Sequence, residues 1–158
     1  MANFAAIANR LEGIINQEMN ATRSNQGSWE WYNALARIMS SNRFSGTPRV
    51  YGPTLITAET GIETGAVRLF GLLLDNAMSG EDAYIAVANL ATGDWTAGTD
   101  NAKGYFYIPR STTLGYVLAD GLALDTAFTI EDILGTEAGI EAGTGSTSGV
   151  TVVAVYTE

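Results

Sequence analysis

Any fold for this chain has to hide the stretch Ala66 to Asn76, Ala-Val-Arg-Leu-Phe-Gly-Leu-Leu-Leu-Asp-Asn. Taken as a strand, it is apolar on both alternating faces, with Leu69 and Leu73 on one side and Phe70, Leu72 and Leu74 on the other. A strand of that kind is covered on both faces or sits at the centre of a sheet. Periodicity alone also permits a buried helix. Gly71 within the run, the Asp75-Asn76 stop and the strand-like segments downstream favour the strand. It is therefore read as the central strand of a β domain.

From Thr54 onward the chain has one texture: short β-branched and aromatic runs separated by Gly, Asp and Asn. Strands are predicted at Thr54–Thr57, Ala66–Leu74, Ala83–Leu90, Gly104–Ile108, Leu114–Leu118, Ala127–Ile133 and Val150–Tyr156. Turns are predicted at Asn76–Asp82, Thr92–Asn101, Arg110–Thr113 and Asp120-Gly121, with a long loop over Gly135–Gly149. Strands recurring this often without helices between them indicate an antiparallel β-sandwich, jelly-roll or immunoglobulin-like, or a barrel. In the last strand Val150, Val152, Ala154 and Tyr156 alternate with Thr151, Val153, Val155 and Thr157, which places it in the sheet interior.

The first third reads differently. Asn3 caps a helix whose stripe is Phe4, Ile7, Ala8, Leu11, Ile14 and Ile15, and Gly13 weakens it by about 1 kcal/mol relative to Ala. Ser28 caps a second helix carrying Trp29, Trp31, Tyr32, Leu35, Ile38 and Met39. The division expected is a helical N-terminal arm over residues 1–48 and a β-sandwich domain over 49–158. Charge divides along nearly the same line. Residues 1–53 hold five arginines against three glutamates, a balance of +2, and residues 54–158 hold three basic residues against fourteen acids, a balance of −11. The arm is therefore expected to grip a neighbour, through Phe4, Ile7, Leu11, Ile14, Trp29, Trp31, Tyr32, Leu35, Arg37 and Arg43, while Trp29, Trp31 and Tyr32 equally fit a core between the helices and the sandwich.

The chemistry available to the chain is narrow. Histidine and cysteine are both absent, which removes the commonest general base, the commonest metal ligand and all thiolate chemistry. Paired carboxylates still suffice for glycoside hydrolysis, and Asp75, Glu81, Asp82, Asp94, Asp100, Glu131 and Asp132 are the set to draw on. Most of them lie in predicted turns, where local hydrogen bonding accounts for them. Asp94, Asp100 and Asn101 offer oxygen ligands for calcium without an EF-hand spacing. Trp95, Tyr105, Tyr107 and Tyr116 offer rings for stacking on sugars, against the usual role of such residues in cores and cross-strand pairs. The run Gly143-Thr144-Gly145-Ser146-Thr147-Ser148-Gly149 lacks the lysine of a phosphate loop and leads into a strand, so it reads as a hairpin loop. The expectation is a non-enzymatic protein with no cofactor or metal. No basic patch suggests nucleic acid, no run is long enough to span a membrane, and no signal peptide opens the chain.

One resemblance sharpens this. Phe70-Gly71-Leu72-Leu73-Leu74-Asp75-Asn76, Ala83-Tyr84-Ile85-Ala86-Val87, Thr96-Ala97-Gly98-Thr99-Asp100, Tyr107-Ile108-Pro109, Gly121-Leu122-Ala123-Leu124 and Val152-Val153-Ala154-Val155-Tyr156 follow one another in an order that resembles small virion proteins of tailed bacteriophages. The likeness covers about Val67 to Tyr156 and leaves out the helical third. Where such proteins carry a proline after the Gly-Thr stretch, this chain has Asn101-Ala102-Lys103. The resemblance implies a structural component of a virus particle, foremost a capsid cement or decoration protein on the capsid surface. Its partner would be the major capsid protein or another virion protein, and it would be a homotrimer, matching the local three-fold sites of a lattice, or another homo-oligomer. A neck, baseplate or fibre-attachment protein and a carbohydrate-binding module for a host surface are the alternatives.

Overall fold

In the computed structural model, residues 4–17, 26–40, 46–77, 79–96, 102–146 and 148–158 are described. They form α1 (Phe4–Gln17), α2 (Gln26–Ser40), β1 (Pro48–Ile56), β2 (Thr60–Glu63), β3 (Val67–Asp75), β4 (Ala83–Ala88), β5 (Gly104–Ile108), β6 (Thr113–Leu124), β7 (Phe128–Leu134), α3 (Glu137–Ala142) and β8 (Val150–Thr157). The strands make two four-stranded antiparallel sheets, ordered β1-β8-β3-β6 and β2-β7-β4-β5. The chain is a mainly β sandwich, as expected.

β3 lies inside its sheet, between β8 and β6. Its two apolar faces are sorted differently from the simple alternation. Leu69 pairs with Tyr156 and Gly71 with Val155, so Phe70 is one residue too many and the strand bulges. A bulge shifts the side-chain parity by one. Val67, Leu69, Leu72 and Leu74 therefore all face the space between the sheets, where they meet Ile85, Val87, Ile108, Phe128 and Ile130. Phe70 and Leu73 face outward instead. β8 alternates as its sequence suggests: Val150, Val152, Ala154 and Tyr156 point into the sandwich, and Val153 and Val155 point out.

The outward residues explain the helices. Leu11, Ile14, Ile15, Trp31, Leu35 and Met39 pack with Phe70, Leu73, Val153 and Val155 in a second core on the outer face of the β1-β8-β3-β6 sheet. α2 begins at Gln26, so Ser28 lies inside the helix, and Asn3 is outside the described residues. Trp31 fixes the docking. Its Nε1 donates to the carbonyl oxygen of Tyr116 at 2.8 Å. Its ring lies on the backbone of β6 because position 115 is glycine: a Cβ there would fall 2.4 Å from Trp31 Cβ and Cγ. Gly71 supplies the adjoining clearance, with a Cβ 3.2 Å from the ring. The Tyr32 hydroxyl donates to Glu12 Oε1 at 3.0 Å and ties α2 to α1, while Arg10 Nη2 donates to the Gly52 carbonyl at 3.1 Å and ties α1 to β1. The composition boundary near residue 48 is thus where helices give way to strands, yet the two sides share one core.

Three further differences have local causes. β2 was not predicted; at four residues it is too short to show periodicity. β6 runs on to Leu124 through the expected Asp120-Gly121 turn, because Gly121 takes φ +70° and bends the strand without ending it. The expected loop over Gly135–Gly149 contains α3, capped by the Thr136 side chain, which accepts from the Gly139 N–H, and closed by Gly143 in the left-handed region.

The sheet edges are blunted. β1 carries Pro48 and Pro53, which have no N–H to offer, and its register shifts between Tyr51 and Thr54. β2 and β5 are short. On β6 the Tyr116 carbonyl is occupied by Trp31. The Tyr116 hydroxyl in turn donates to the Tyr107 carbonyl at 2.5 Å, joining the rims of the two sheets.

Candidate functional site

The residues expected to grip a neighbour separate into two groups. Leu11, Ile14, Trp31 and Leu35 are at most 5% exposed, all inside the helix-to-sheet core. Their apolar surface is used within the chain, which corrects the expectation that they face a partner. Ile7, Trp29 and Tyr32 are half-buried at the rim of that core, and Arg37 is exposed. Trp29 and Tyr32 stack edge to face with centroids 5.5 Å apart. Arg43 and the side chain of Phe4 lie outside the described residues.

Among the described residues, the carboxylates of this set are spread over β3, β7 and the turns on either side of β4. Glu131 and Asp132 are consecutive in β7 and so point to opposite faces of the sheet. Asp75 closes its own turn, accepting from the Ala77 N–H at 3.1 Å and the Thr113 hydroxyl at 2.9 Å. Asp94 sits in an exposed turn, and Asp100 and Asn101 lie outside the described residues. Among the described residues no group of three or more acidic side chains is placed to hold a metal ion.

Asp132 is the exception among these acids because it is completely buried. Its Oδ2 accepts from the Ser146 N–H at 3.0 Å and the Ser146 hydroxyl at 2.5 Å, and Ser146 Oγ accepts from the Gly149 N–H at 3.1 Å. That triad fastens the Gly- and Ser-rich segment, leading from α3 into β8, onto β7. Asp132 Oδ1 has no hydrogen-bond partner among the described residues. Burial pushes the Asp132 carboxyl up from the usual carboxylate range, and the two bonds from Ser146 pull it part of the way back.

The four aromatics noted for sugar stacking also divide. Trp95 is 3% exposed, buried with Ala86, Ala88 and Ile133 on the outer face of the β2-β7-β4-β5 sheet. Tyr116 turns inward against Phe106, ring centroids 5.1 Å apart. Tyr105 and Tyr107 remain 36% and 37% exposed, the most exposed aromatics among the described residues. They sit two apart on edge strand β5, with Tyr84 of β4 opposite Tyr107 and ring centroids 6.4 Å from Tyr105 and 5.2 Å from Tyr107. The Tyr107 hydroxyl donates to Asp82 Oδ2 at 2.7 Å. The Arg110 N–H donates to Asp82 Oδ1 at 2.9 Å, and the Arg110 guanidinium stands 3.8 Å away. The Arg110 N–H and then the Tyr107 hydroxyl hold the Asp82 carboxyl below its ordinary range, and the Tyr107 phenol is raised by the same bond. The result is a tyrosine ledge along edge strand β5, rimmed by one ion pair.

Nothing in the sequence links Tyr84, Asp82 and Arg110 to Tyr105 and Tyr107. The signal available was the Tyr-x-Tyr spacing of β5, which puts both rings on one face; the partners come from strand pairing. At the far end of the sandwich, Arg68, Asp125, Thr157 and Glu158 help to line a shallow open cleft of about 320 Å³. None of the candidate contact, carboxylate or aromatic residues named from the sequence lines it. Compared with known proteins, the chain matches no family model, no curated protein and no solved structure.

Proposed function

We propose that this protein is a non-enzymatic structural component of a tailed-bacteriophage virion, a capsid cement or decoration protein that binds the major capsid protein as a homotrimer or other homo-oligomer. One observation carries the reading. Five of the six segments that resemble small virion proteins fall on the framework of the sandwich: Phe70–Asp75 in β3, Ala83–Val87 in β4, Tyr107–Ile108 at the end of β5, Gly121–Leu124 at the end of β6 and Val152–Tyr156 in β8; of the sixth, Thr96–Asp100, residues 97–100 lie outside the described residues. A resemblance carried by framework strands speaks for a shared scaffold, and function on such scaffolds resides in surfaces added to it. Among the described residues, Asp75 is taken up in its own turn and Asp132 in fastening the segment before β8, which favours a binding role over hydrolysis.

With Leu11, Ile14, Trp31 and Leu35 committed to the internal core, the contact with the particle is assigned to what the helices leave outside, the rim of Ile7, Trp29 and Tyr32 beside Arg37. The test is rebinding to phage heads from which the protein has been stripped. Saturable rebinding that weakens for Trp29→Ala and Arg37→Glu supports the reading. No rebinding by the folded wild-type chain overturns it.

A further inference from the structure

The tyrosine ledge has a chemistry that a cement role does not use. Three phenol rings from two neighbouring strands share one face of a sheet, two of them more than a third exposed. The ring of Tyr107 is held in place through its hydroxyl by Asp82. Aromatic faces with a few fixed polar groups beside them form the usual floor of a small-ligand site. The charge pattern narrows the ligand. Residues 54–158 hold fourteen acids and only Arg68, Lys103 and Arg110 as bases, and two of these three flank β5, Lys103 immediately before it and Arg110 two residues after it. Both are exposed. On a molecule of net charge −9 the strand of the ledge thus has a cation at each end, Lys103 before it and Arg110, shared with Asp82, after it, so positive charge meets an anionic ligand there.

From this we infer that the ledge binds an acidic carbohydrate, with a pyranose face lying on Tyr105 and Tyr107 and its carboxylate drawn to Lys103 and Arg110. Ring stacking supplies contact without a deep pocket, and the guanidinium of Arg110 supplies a planar partner for a carboxylate. The inference stands whether or not the chain belongs to a virion.

The test is calorimetric titration of the full chain with oligogalacturonates and, in parallel, with their methyl esters, which keep the rings and remove the charge. Saturable binding of the acid form is expected, with the ester about tenfold or more weaker. Tyr105→Ala and Tyr107→Ala should each weaken the acid form about tenfold while circular dichroism and melting temperature stay near wild type. The double change Lys103→Gln, Arg110→Gln should bring the acid form down to the ester. Equal affinity for acid and ester overturns the assignment of the cations, and undiminished binding by both tyrosine variants overturns the ledge. No saturable binding of either form at millimolar ligand, repeated with sialyllactose as a second acidic sugar, overturns the inference as a whole.

Discussion

Trp31 shows how much one residue can decide when its floor is right. The indole packs against β6 because Gly115 leaves no Cβ beneath it, and its N–H reaches the Tyr116 carbonyl on this edge strand. Gly115→Ala puts a methyl group 2.4 Å from the root of the indole, a part of the side chain that cannot swing away. A loss of about 1–3 kcal/mol is expected, as for overpacking in a tight core, read as a lower melting temperature with a changed near-ultraviolet tryptophan signal. Leu72 tests the other core. It is fully buried between the sheets, so Leu72→Ala should cost roughly 2–5 kcal/mol. An unchanged melting temperature in either case would contradict the packing described.

Asp132 carries the pH prediction. Its carboxyl is raised in the folded chain, chiefly by burial, relative to an unfolded value of about 3.9. A group raised on folding contributes stability that is fully present below the unfolded value and is lost as pH rises through the folded one. Glu131 is raised in the same sense, whereas Asp82 and Glu158 are lowered and act oppositely, so the total curve mixes signs. The difference between wild type and Asp132→Asn isolates the one group. In thermal melts at stepped pH the variant should gain on the wild type as pH rises above the unfolded value, then level off. A difference independent of pH would show that the buried carboxyl does not titrate as described.

At the scale of elements, the helices are the revealing case. Their stripes were legible in sequence, and so was their need for a surface, since an isolated helix of this length is marginal in water. What they lie on was not legible, because the surface is made by the bulge in β3. A strict alternation sends Leu69 and Leu73 to the same side; the extra Phe70 sends Phe70 and Leu73 together to the outer face, where the helices need them. Gly71 inside an apolar run was the available hint. A chain beginning at Thr47 would therefore expose Phe70, Leu73, Val153 and Val155, and it is expected to aggregate or unfold rather than to stand as a free sandwich. A monomeric, cooperatively melting fragment would contradict this. Within α1, Gly13 has open space where a Cβ would go, so Gly13→Ala should raise stability by up to about 1 kcal/mol.

At the scale of the whole molecule, the sandwich class and most strand positions followed from turn chemistry and two-residue alternation, signals that are local. The missed pieces depend on distant partners. β2 exists by pairing with β7, α3 by its Thr136 cap within a run rich in Gly and Thr, and the tyrosine ledge by the register that sets Tyr84 beside Tyr107. The charge asymmetry had suggested a free arm seeking an acidic neighbour. The layered structure gives it another origin, since apolar contact holds the helices on the sheet and most of the acids belong to the other layers.

The proposed place of this chain in a virion is tested most directly by counting it. In purified phage particles, quantitative mass spectrometry against the major capsid protein should find hundreds of copies, in a fixed ratio to that protein. A dozen or fewer would move the protein to the neck, baseplate or tail. Its absence from intact particles would contradict the account.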